Sequence, residues 1–222
     1  MSNTAEKYGL SGKIAVFIQN RRKPLLLGLG VVALAAACFT AALGITGILR
    51  KNAIAAVEDL DGRYESLRFN IADASKQEEV NALLEDLGAF ARRNGGLPGG
   101  RAWALIASVH ADRKEWAEAE RAWIKAAESA SKTYFEPIVF FHAGRAAEEQ
   151  GNTDGAIVHY AKSASLSFPS AARAQFSVGR LEEGRNNTEA ALEAYRTLVS
   201  NFPFETTWVN MARTRIIVLQ LK

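Results

Sequence analysis

A short sequence motif occurs twice in this chain, and the distance between the two copies limits what the chain can fold into. FFHAGRAAEEQG begins at residue 140, and QFSVGRLEEGRN begins 35 residues later, at residue 175. Each copy carries a Gly-Arg pair with a Glu-Glu pair close behind it. Repetition at a period of 20–50 residues is typical of architectures in which similar structural units stack on one another. The sequence therefore predicts stacked units.

Three pairs of small residues in the same region share one spacing. In each pair the second residue follows the first by 12 positions: Ala107 and Ala119, Gly144 and Ala156, Gly179 and Ala191. One helical turn after the second residue comes an aromatic residue: Trp123, Tyr160 and Tyr195. Two helices approach closely only where both present Gly or Ala at the crossing, and an aromatic ring fills the wedge where they diverge. The spacing therefore predicts three helix pairs.

The rest of the region continues the helical pattern. Trp103 precedes Ala107 in the first copy, and a further first helix with Trp208 and Ala212 stands alone after the third pair. This last helix is predicted to cap the stack. With only five prolines in 222 residues and a body rich in Ala, Glu and Arg, the chain is predicted to be all-α.

These residues resemble the tetratricopeptide repeat, which places a Trp, a small residue and a Tyr on its first helix and a small residue and an aromatic on its second. The resemblance covers roughly residues 100–222. Gln175 and Glu182 depart from it at aromatic positions of the third copy, and an insertion leaves 37 residues between Ala119 and Ala156. The resemblance implies an α-solenoid whose first helices line a concave groove.

A second feature, upstream of the repeats, is the uncharged run of 26 residues at 24–49. At about 1.5 Å per residue, a helix of this length exceeds the roughly 30 Å hydrocarbon core of a bilayer. One transmembrane helix is therefore predicted.

The charge around this run predicts its orientation. Residues 1–23 hold five basic side chains and one acidic, whereas the rest of the chain holds 22 basic and 23 acidic. By the positive-inside rule, the N-terminus is predicted to be cytoplasmic and the large C-terminal part to be exported. Because the basic excess belongs to a short tail, it gives no support to nucleic-acid binding.

Two alternatives to a simple membrane span stay open. A lipoprotein signal would be cut just before Cys38, although the apolar run continues 11 residues past that cysteine and the charged leader is long. Ala33, Ala37 and Ala41 have the spacing of a helix-pairing motif, a pattern that also arises easily in an Ala-rich span. The single cysteine excludes an intramolecular disulfide and a Cys-based zinc cluster.

Four segments are expected along the chain: a basic cytoplasmic tail at 1–23, the transmembrane helix at 24–49, a linking helical hairpin at 50–96 and the repeat domain at 100–222. The hairpin is predicted from two apolar helical faces at 54–67 and 80–90. The segment NGGLPGG at 94–100 is predicted to be a linker, because Gly and Pro interrupt helices.

Candidate binding residues lie on the first helices. The resemblance implies that the residue after each small residue faces the groove, as do the apolar residues one turn earlier. A ladder of arginines with apolar neighbours would bind a partner's carboxylates and bury its apolar side chains. The predicted partner-binding groove comprises Phe141, Arg145, Phe176, Arg180, Val209 and Arg213, with Ser108 at the equivalent position of the first repeat.

The arginines also have a purely structural interpretation. Arg145 could pair with Glu148 or Glu149, and Arg180 with Glu183, as salt bridges along one helix on a solvated face. Both interpretations stay open on the sequence.

Catalysis finds no support in the sequence. The three histidines, His110, His142 and His159, occupy different helical positions with no Asp or Glu at metal-ligand spacing. No nucleophile elbow, phosphate-binding Gly loop or H-E-x-x-H motif is present. The chain is therefore predicted to act by binding, without enzymatic activity, metal or cofactor.

The whole layout resembles bacterial membrane-anchored tetratricopeptide proteins related to the ancillary subunit of the SecYEG translocon. That resemblance implies a single-pass inner-membrane protein with a periplasmic repeat domain. It would serve as a scaffold or chaperone-like adaptor in protein export or envelope assembly, with secretory proteins, envelope proteins or the translocon as partners. The alternative is a structural component that self-assembles in the envelope or around a flagellar motor. The oligomeric state stays open.

Overall fold

The computed structural model describes residue 17, residues 21–165 and residues 168–221. These ranges contain nine α-helices with described bounds and no β-strand, so the predicted all-α fold is confirmed. Most of the predicted basic tail at 1–23 lies outside the described residues. The chain divides between residues 52 and 53 into two compact units.

The first unit contains the apolar part of helix α1, which runs over Arg22–Leu67. The most apolar stretch of this helix has a mean hydropathy of 2.3, and none of it is buried. Its large apolar side chains are exposed, for example Leu27 at 72% and Phe39 at 66%. Among the described helices, α1 is the one that is long and apolar enough to cross a membrane.

The second unit begins with the last turns of α1 and continues as eight further helices. Two short 3-10 turns, Arg68–Asn70 and Ala74–Lys76, connect α1 to the next helix. The helices are α2 (Gln77–Arg93), α3 (Gly96–Asp112), α4 (Trp116–Ser129), α5 (Glu136–Glu149), α6 (Thr153–Ala164), α7 (Ala171–Gly184), α8 (Thr188–Asn201) and α9 (Thr206–Gln220).

The helices of this unit form a stack of pairs. Each helix packs mainly on its neighbours in the sequence, which is the arrangement of a solenoid. First helices α5, α7 and α9 start at Glu136, Ala171 and Thr206, at a constant interval of 35 residues. The repeat period of the sequence is therefore the period of the structure.

The helix pairs cross closely at their small residues. Ala107, Ala119, Ala156 and Ala191 are fully buried. A β-carbon on Gly144 would lie 2.8 Å from Cδ1 of the Tyr160 ring, so the ring occupies the space that a side chain would need.

The last turns of α1 share the core of the first repeat. Val57, Leu60 and Leu67 are buried in one cluster with residues of α2, α3 and α4. The hydroxyl of Tyr64 on α1 donates to Oδ2 of Asp112 on α3, at 2.8 Å. The segment between the apolar run and the repeats therefore packs as part of the solenoid.

The prediction of a linker at 94–100 was wrong for most of that segment, because α3 begins at Gly96. Pro98 lies in the first turn of α3, where its missing N–H removes no helical hydrogen bond. Gly100 is buried, and a β-carbon there would lie 2.6 Å from that of Ala130 at the end of α4. This glycine allows a close helix contact where the sequence suggested a chain break.

Helix α9 covers the end of the last helix pair, as predicted for a capping helix. The ring of Trp208 lies 5.5 Å from that of Phe176 on α7, and Ala212 and Leu219 are buried against the same cluster. Counting 35 residues from Gly179 reaches Thr214. A β-branched side chain at this position would obstruct a tyrosine-bearing helix of the kind that packs on Gly179.

Candidate partner-binding groove

Two cavities lie on either side of helix α5 in the second unit. The first has a volume of about 320 Å³ and is lined by residues of α5, α6, α7 and α9. The second, of about 360 Å³, is lined by residues around α1, α3, α4 and α5. Arg145 and Glu149 of α5 line both cavities. The two cavities and the strip of α5 between them are called the groove below.

The structure brings together four of the six residues predicted for the groove. Phe141, Arg145, Phe176 and Arg180 all line the first cavity. The lining of both cavities, as far as the described residues define it, includes neither Val209 nor Arg213. Val209 is only 3% exposed because it packs into the core under α9, and Arg213 lies exposed on that helix.

The two phenylalanines form the floor of the first cavity. Phe141 and Phe176 are 8% and 9% exposed, because their rings lie 5.3 and 5.4 Å from those of Tyr160 and Tyr195. A partner could touch only their edges. More aromatic surface is available at Trp208, which is half-buried and lines the same cavity.

Arg180 makes a hydrogen-bonded ion pair with the preceding repeat. Its Nη2 donates to Oε2 of Glu148 on α5 at 2.7 Å. The Tyr160 hydroxyl donates to the same oxygen at 3.1 Å. The sequence left two interpretations of Arg180 open: a ligand-binding residue, or a salt bridge along its own helix. The structure shows a third arrangement, a salt bridge between helices of successive repeats.

The same triad recurs one repeat later. The Tyr195 hydroxyl and Nε of Arg215 donate to Oε2 of Glu183, at 3.1 and 3.0 Å. In both triads the arginine follows the glutamate by 32 residues. Sequence reasoning missed Arg215 because it counted from the small residue Ala212. Counting 35 residues from Arg180 would have found it.

The triads shift the proton affinity of their members. Burial, followed by the charge of Glu148, raises the pKa of Tyr160. Burial and then Glu183 raise the pKa of Tyr195 to about 12. The hydrogen bond to Glu148 raises the pKa of Arg180. At physiological pH the hydroxyl groups of Tyr160 and Tyr195 are therefore protonated and can donate hydrogen bonds, and Arg180 carries its positive charge.

Arg145 differs from the other two arginines. It is exposed, and the described residues provide no salt bridge or hydrogen bond to its side chain. The position on α3 that corresponds to Glu148, four residues after the small residue, is Ala111. Without a glutamate there, the inter-repeat triad cannot form for Arg145.

A second exposed arginine without a salt bridge in the described chain, Arg173, accompanies Arg145 in the first cavity. Its guanidinium carbon lies 5.0 Å from the centre of the Phe141 ring. Both arginines act on His142, whose ring stacks on Trp123 at 4.8 Å. Burial, followed by the charges of Arg145 and Arg173, lowers the pKa of His142 to about 4. The imidazole is therefore neutral near pH 7, and the positive potential comes from the two guanidiniums.

Comparison with known proteins agrees with this geometry. Residues 141–206, which include α6, α7 and α8, match the tetratricopeptide repeat family. The chain contains tetratricopeptide repeats. It is also 32% identical over 148 residues to a protein of Treponema pallidum (strain Nichols) described as a TPR repeat-containing protein. The similarity covers 66% of this chain and 61% of that relative, so the chain spans less than two thirds of the relative's length.

In the first tetratricopeptide repeat, the part of the groove beside Ser108 is partly filled by the protein's own preceding segment. Tyr64 in the last turn of α1, and Arg68 directly after that helix, line the second cavity beside Ser108 and Trp123. Tyr64 is buried there, and Arg68 is paired with Glu65 at 3.0 Å. The end of α1 thus lies where the first rung of a ligand-binding ladder was expected, and the accessible groove is centred on the second and third repeats.

The histidines take part in contacts between tetratricopeptide helices. Nδ1 of His110 lies 2.5 Å from Oε2 of Glu115, and Nε2 of His159 lies 2.9 Å from Oε1 of Glu120. In the part of the chain that the structure describes, no three His, Cys, Asp or Glu side chains are grouped to hold a metal ion.

Proposed function

We propose that this protein is a membrane-tethered scaffold or chaperone-like adaptor whose tetratricopeptide groove binds segments of partner proteins. Tetratricopeptide domains commonly mediate protein–protein interactions. The observation that carries the proposal is the groove itself: two adjoining cavities lined by aromatic side chains, with exposed guanidinium groups on Arg145 and Arg173 that have no salt bridge among the described residues. Such surfaces are typical of recognition sites in which aromatic and arginine side chains dominate the binding energy.

The charge of the first cavity favours an acidic partner segment. The first cavity is lined by three arginines and two glutamates. One of the glutamates, Glu148, is already bonded to Arg180. Arg145 and Arg173 are left to bind carboxylates of a partner, in the two-pronged geometry that guanidinium groups allow.

The proposed place of action is the exported side of the bacterial inner membrane, in protein export or envelope assembly. Helix α1 is long and apolar enough to serve as the anchor, and the basic residues before it favour a cytoplasmic N-terminus. Confinement beside a membrane complex raises the effective concentration of a partner, so that a groove of modest affinity suffices. Secretory proteins, envelope proteins or the translocon would be the partners.

Site-specific photocrosslinking in cells tests the binding function. A crosslinking amino acid at Arg145 or Glu149 is expected to capture secretory or envelope proteins, identified by mass spectrometry. The matched control is Glu193, an exposed residue of α8 that lines neither cavity among the described residues. Identical products from the groove positions and from Glu193 would contradict a groove-mediated function.

A fusion experiment tests the proposed topology. Alkaline phosphatase, which is active only after export, is expected to be active when fused after residue 221. Green fluorescent protein that fluoresces only when folded in the cytoplasm is expected to be dark in the same position. The reverse result would show that the repeats face the cytoplasm.

A structural, self-assembling role is the alternative, and exposed apolar side chains on α9 and at its C-terminal cap favour it. Met211, Ile217 and Leu221 are 41%, 59% and 82% exposed. Sedimentation of the full chain in detergent discriminates between the two roles. A monomer that binds partner proteins would support the adaptor role. A defined oligomer that the substitution Ile217→Asp dissociates would support the structural role.

A further inference from the structure

The arginines on the first helices of the repeats are not equivalent. Arg180 and Arg215 are bonded to glutamates of the preceding repeat. Their charges are compensated inside the protein, and a partner would have to compete with an intramolecular carboxylate to bind them. Arg145 has no such carboxylate, because Ala111 occupies the corresponding position on α3. Of the predicted ladder residues that line the two cavities, Arg145 is therefore the one that has no salt bridge among the described residues and is available to a ligand.

Arg173 adds a second available charge to the same cavity. It is exposed, and the described residues give it a ring contact with Phe141 but no salt bridge. Both arginines lie close enough to His142 to act on its proton affinity. Two like charges that line one cavity repel each other, and a carboxylate bound to both relieves that repulsion.

Aromatic surface is present on both sides of Arg145. In the first cavity it is provided mainly by Trp208. In the second it is provided mainly by the half-buried Trp116, because Tyr64 and Trp123 are only 6% and 8% exposed. Since Arg145 lines both cavities, a chain that places a carboxylate on it has an aromatic-walled cavity available in each direction.

We propose that the groove recognises an internal acidic residue of an extended partner segment, with its carboxylate on Arg145 and Arg173 and one large apolar side chain in each flanking cavity. This proposal rests on the proposed binding function and specifies its ligand. The acidic residue is internal, because a chain that ended at Arg145 with a terminal carboxylate would leave one cavity empty.

The spacing of the segment follows from the geometry of helices and strands. The cavities are separated by α5, and packed helices are spaced on the order of 10 Å. An extended chain advances about 3.3 Å per residue. The two apolar residues therefore lie about three positions apart, with the acidic residue between them.

Glu149 limits the number of acidic residues that the segment can carry. It lies one turn from Arg145, lines both cavities and has no salt bridge among the described residues. A second carboxylate next to the first would be repelled by it. The groove is therefore expected to select a single acid between apolar residues over an acidic run.

Affinity selection from a peptide library tests the proposal. The probe is a library of synthetic dodecapeptides, acetylated and amidated so that they carry no terminal charge, and the target is the full chain in detergent micelles. Retained peptides are expected to share one Asp or Glu between two large apolar residues. For the best of them, Arg145→Gln or Arg173→Gln is expected to weaken binding about tenfold to a hundredfold, the usual value of a charge-assisted hydrogen bond.

Three further arms make the result specific. Arg196→Gln, which removes an exposed arginine of α8, is expected to leave the affinity unchanged. Glu149→Gln is expected to admit peptides with a second acidic residue. Arg145→Glu is expected to lose the acidic peptide and to bind its Lys-substituted form, which would show that the variant folds.

The outcomes separate this proposal from the function on which it rests. If wild-type protein retains no peptide beyond empty micelles, the binding function and this inference both fail. Retention without an acidic preference, or a preference that survives Arg145→Gln and Arg173→Gln, overturns this inference alone. Equal or tighter binding of a peptide that ends at the acidic residue with a free carboxylate overturns internal recognition.

Discussion

The ring of Tyr195 packs directly onto the backbone of Gly179, where a β-carbon would lie 2.6 Å from Cε1 of the ring. Tyr195 is fully buried by this contact. Because α7 and α8 approach so closely, the phenol hydroxyl reaches across the crossing to Glu183, at 3.1 Å. The glycine thus fixes both the distance between the helices and the position of the hydrogen bond.

The first prediction concerns this glycine. Gly179→Ala is expected to destabilise the protein by about 1–3 kcal/mol, because the buried ring cannot move away from an added methyl group without disturbing its hydrogen bond. The loss would outweigh the advantage of about 1 kcal/mol that Ala has over Gly in a helix interior. Urea unfolding of the full chain in detergent, followed by tryptophan fluorescence, measures the change.

Gly184→Ala is the matched control in the same helix. A β-carbon at Gly184 meets no atom within 4 Å, so this substitution is expected to be neutral or slightly stabilising. Equal stabilities of the two variants would show that the Tyr195 ring tolerates the extra methyl group.

The second prediction concerns the salt bridge between repeats. A double-mutant cycle with Glu148→Gln and Arg180→Gln is expected to give a coupling energy of about 0.5–1 kcal/mol, since the pair is partly exposed. Glu148→Gln alone should cost more than Arg180→Gln alone, because Glu148 also accepts the hydrogen bond from Tyr160. The same cycle with Glu148 and Arg196 is expected to be additive. If the Glu148–Arg196 cycle gave a coupling energy of the same size, the coupling between Glu148 and Arg180 would reflect the overall change in charge and not a direct salt bridge.

Close helix crossings were predictable because they depend on local spacing. An interval of 12 residues between two small residues, with an aromatic one turn later, defines a helix-turn-helix in which each member is fixed by its position on a helical face. The glycines at 99 and 100 misled the same reasoning. Gly disfavours a helix in isolation, but tertiary packing of α3 against the end of α4 outweighs that preference.

The pairing of the arginines was not predictable from position on a helix. A guanidinium at the end of a long side chain reaches the next repeat as easily as the next turn. The partner of Arg180 is therefore Glu148, 32 residues away, which the sequence alone does not distinguish from a glutamate on the same helix. The availability of Arg145 depends on the identity of residue 111, on a different helix.

The third prediction concerns His142 and acid. Its pKa is about 4 in the folded protein and would be close to 6.5 in the unfolded chain. The folded value is depressed, so the stabilisation is fully present above pH 6.5 and is lost as the pH falls towards 4. Between pH 7 and pH 4.5 this group is expected to lower the free energy of unfolding by about 2–3 kcal/mol.

The variant His142→Gln isolates that contribution. Its free energy of unfolding is expected to fall less between pH 7 and pH 4.5 than that of the wild type. The difference between the two decreases is the contribution of His142. In NMR titrations, Arg145→Gln is expected to raise the pKa of His142, because it removes one of the two nearby positive charges. An unchanged pKa in that variant would place Arg145 too far away to act on the ring.

The last prediction concerns Glu120, which joins second helices of successive repeats. Its carboxylate on α4 accepts hydrogen bonds from Nε2 of His159 on α6, at 2.9 Å, and from the side-chain amide of Gln150. The side chains of Glu120 and His159 are only 13% and 10% exposed. Nδ1 of the same imidazole is buried with no partner in the described structure.

Glu120→Ala would leave both ring nitrogens of His159 without a partner, and an unsatisfied buried polar group costs about 1–3 kcal/mol. Glu118→Ala on the same helix is the control, because its pair with Arg121 is 45% and 67% exposed and is expected to contribute less than about 0.5 kcal/mol. Urea unfolding compares the two. Because the bond at Glu120 joins repeats one and two, its loss should also weaken their cooperativity and broaden the transition. If Glu120→Ala and Glu118→Ala had the same free energy of unfolding and the same dependence of that free energy on urea concentration, apolar packing alone would couple the repeats.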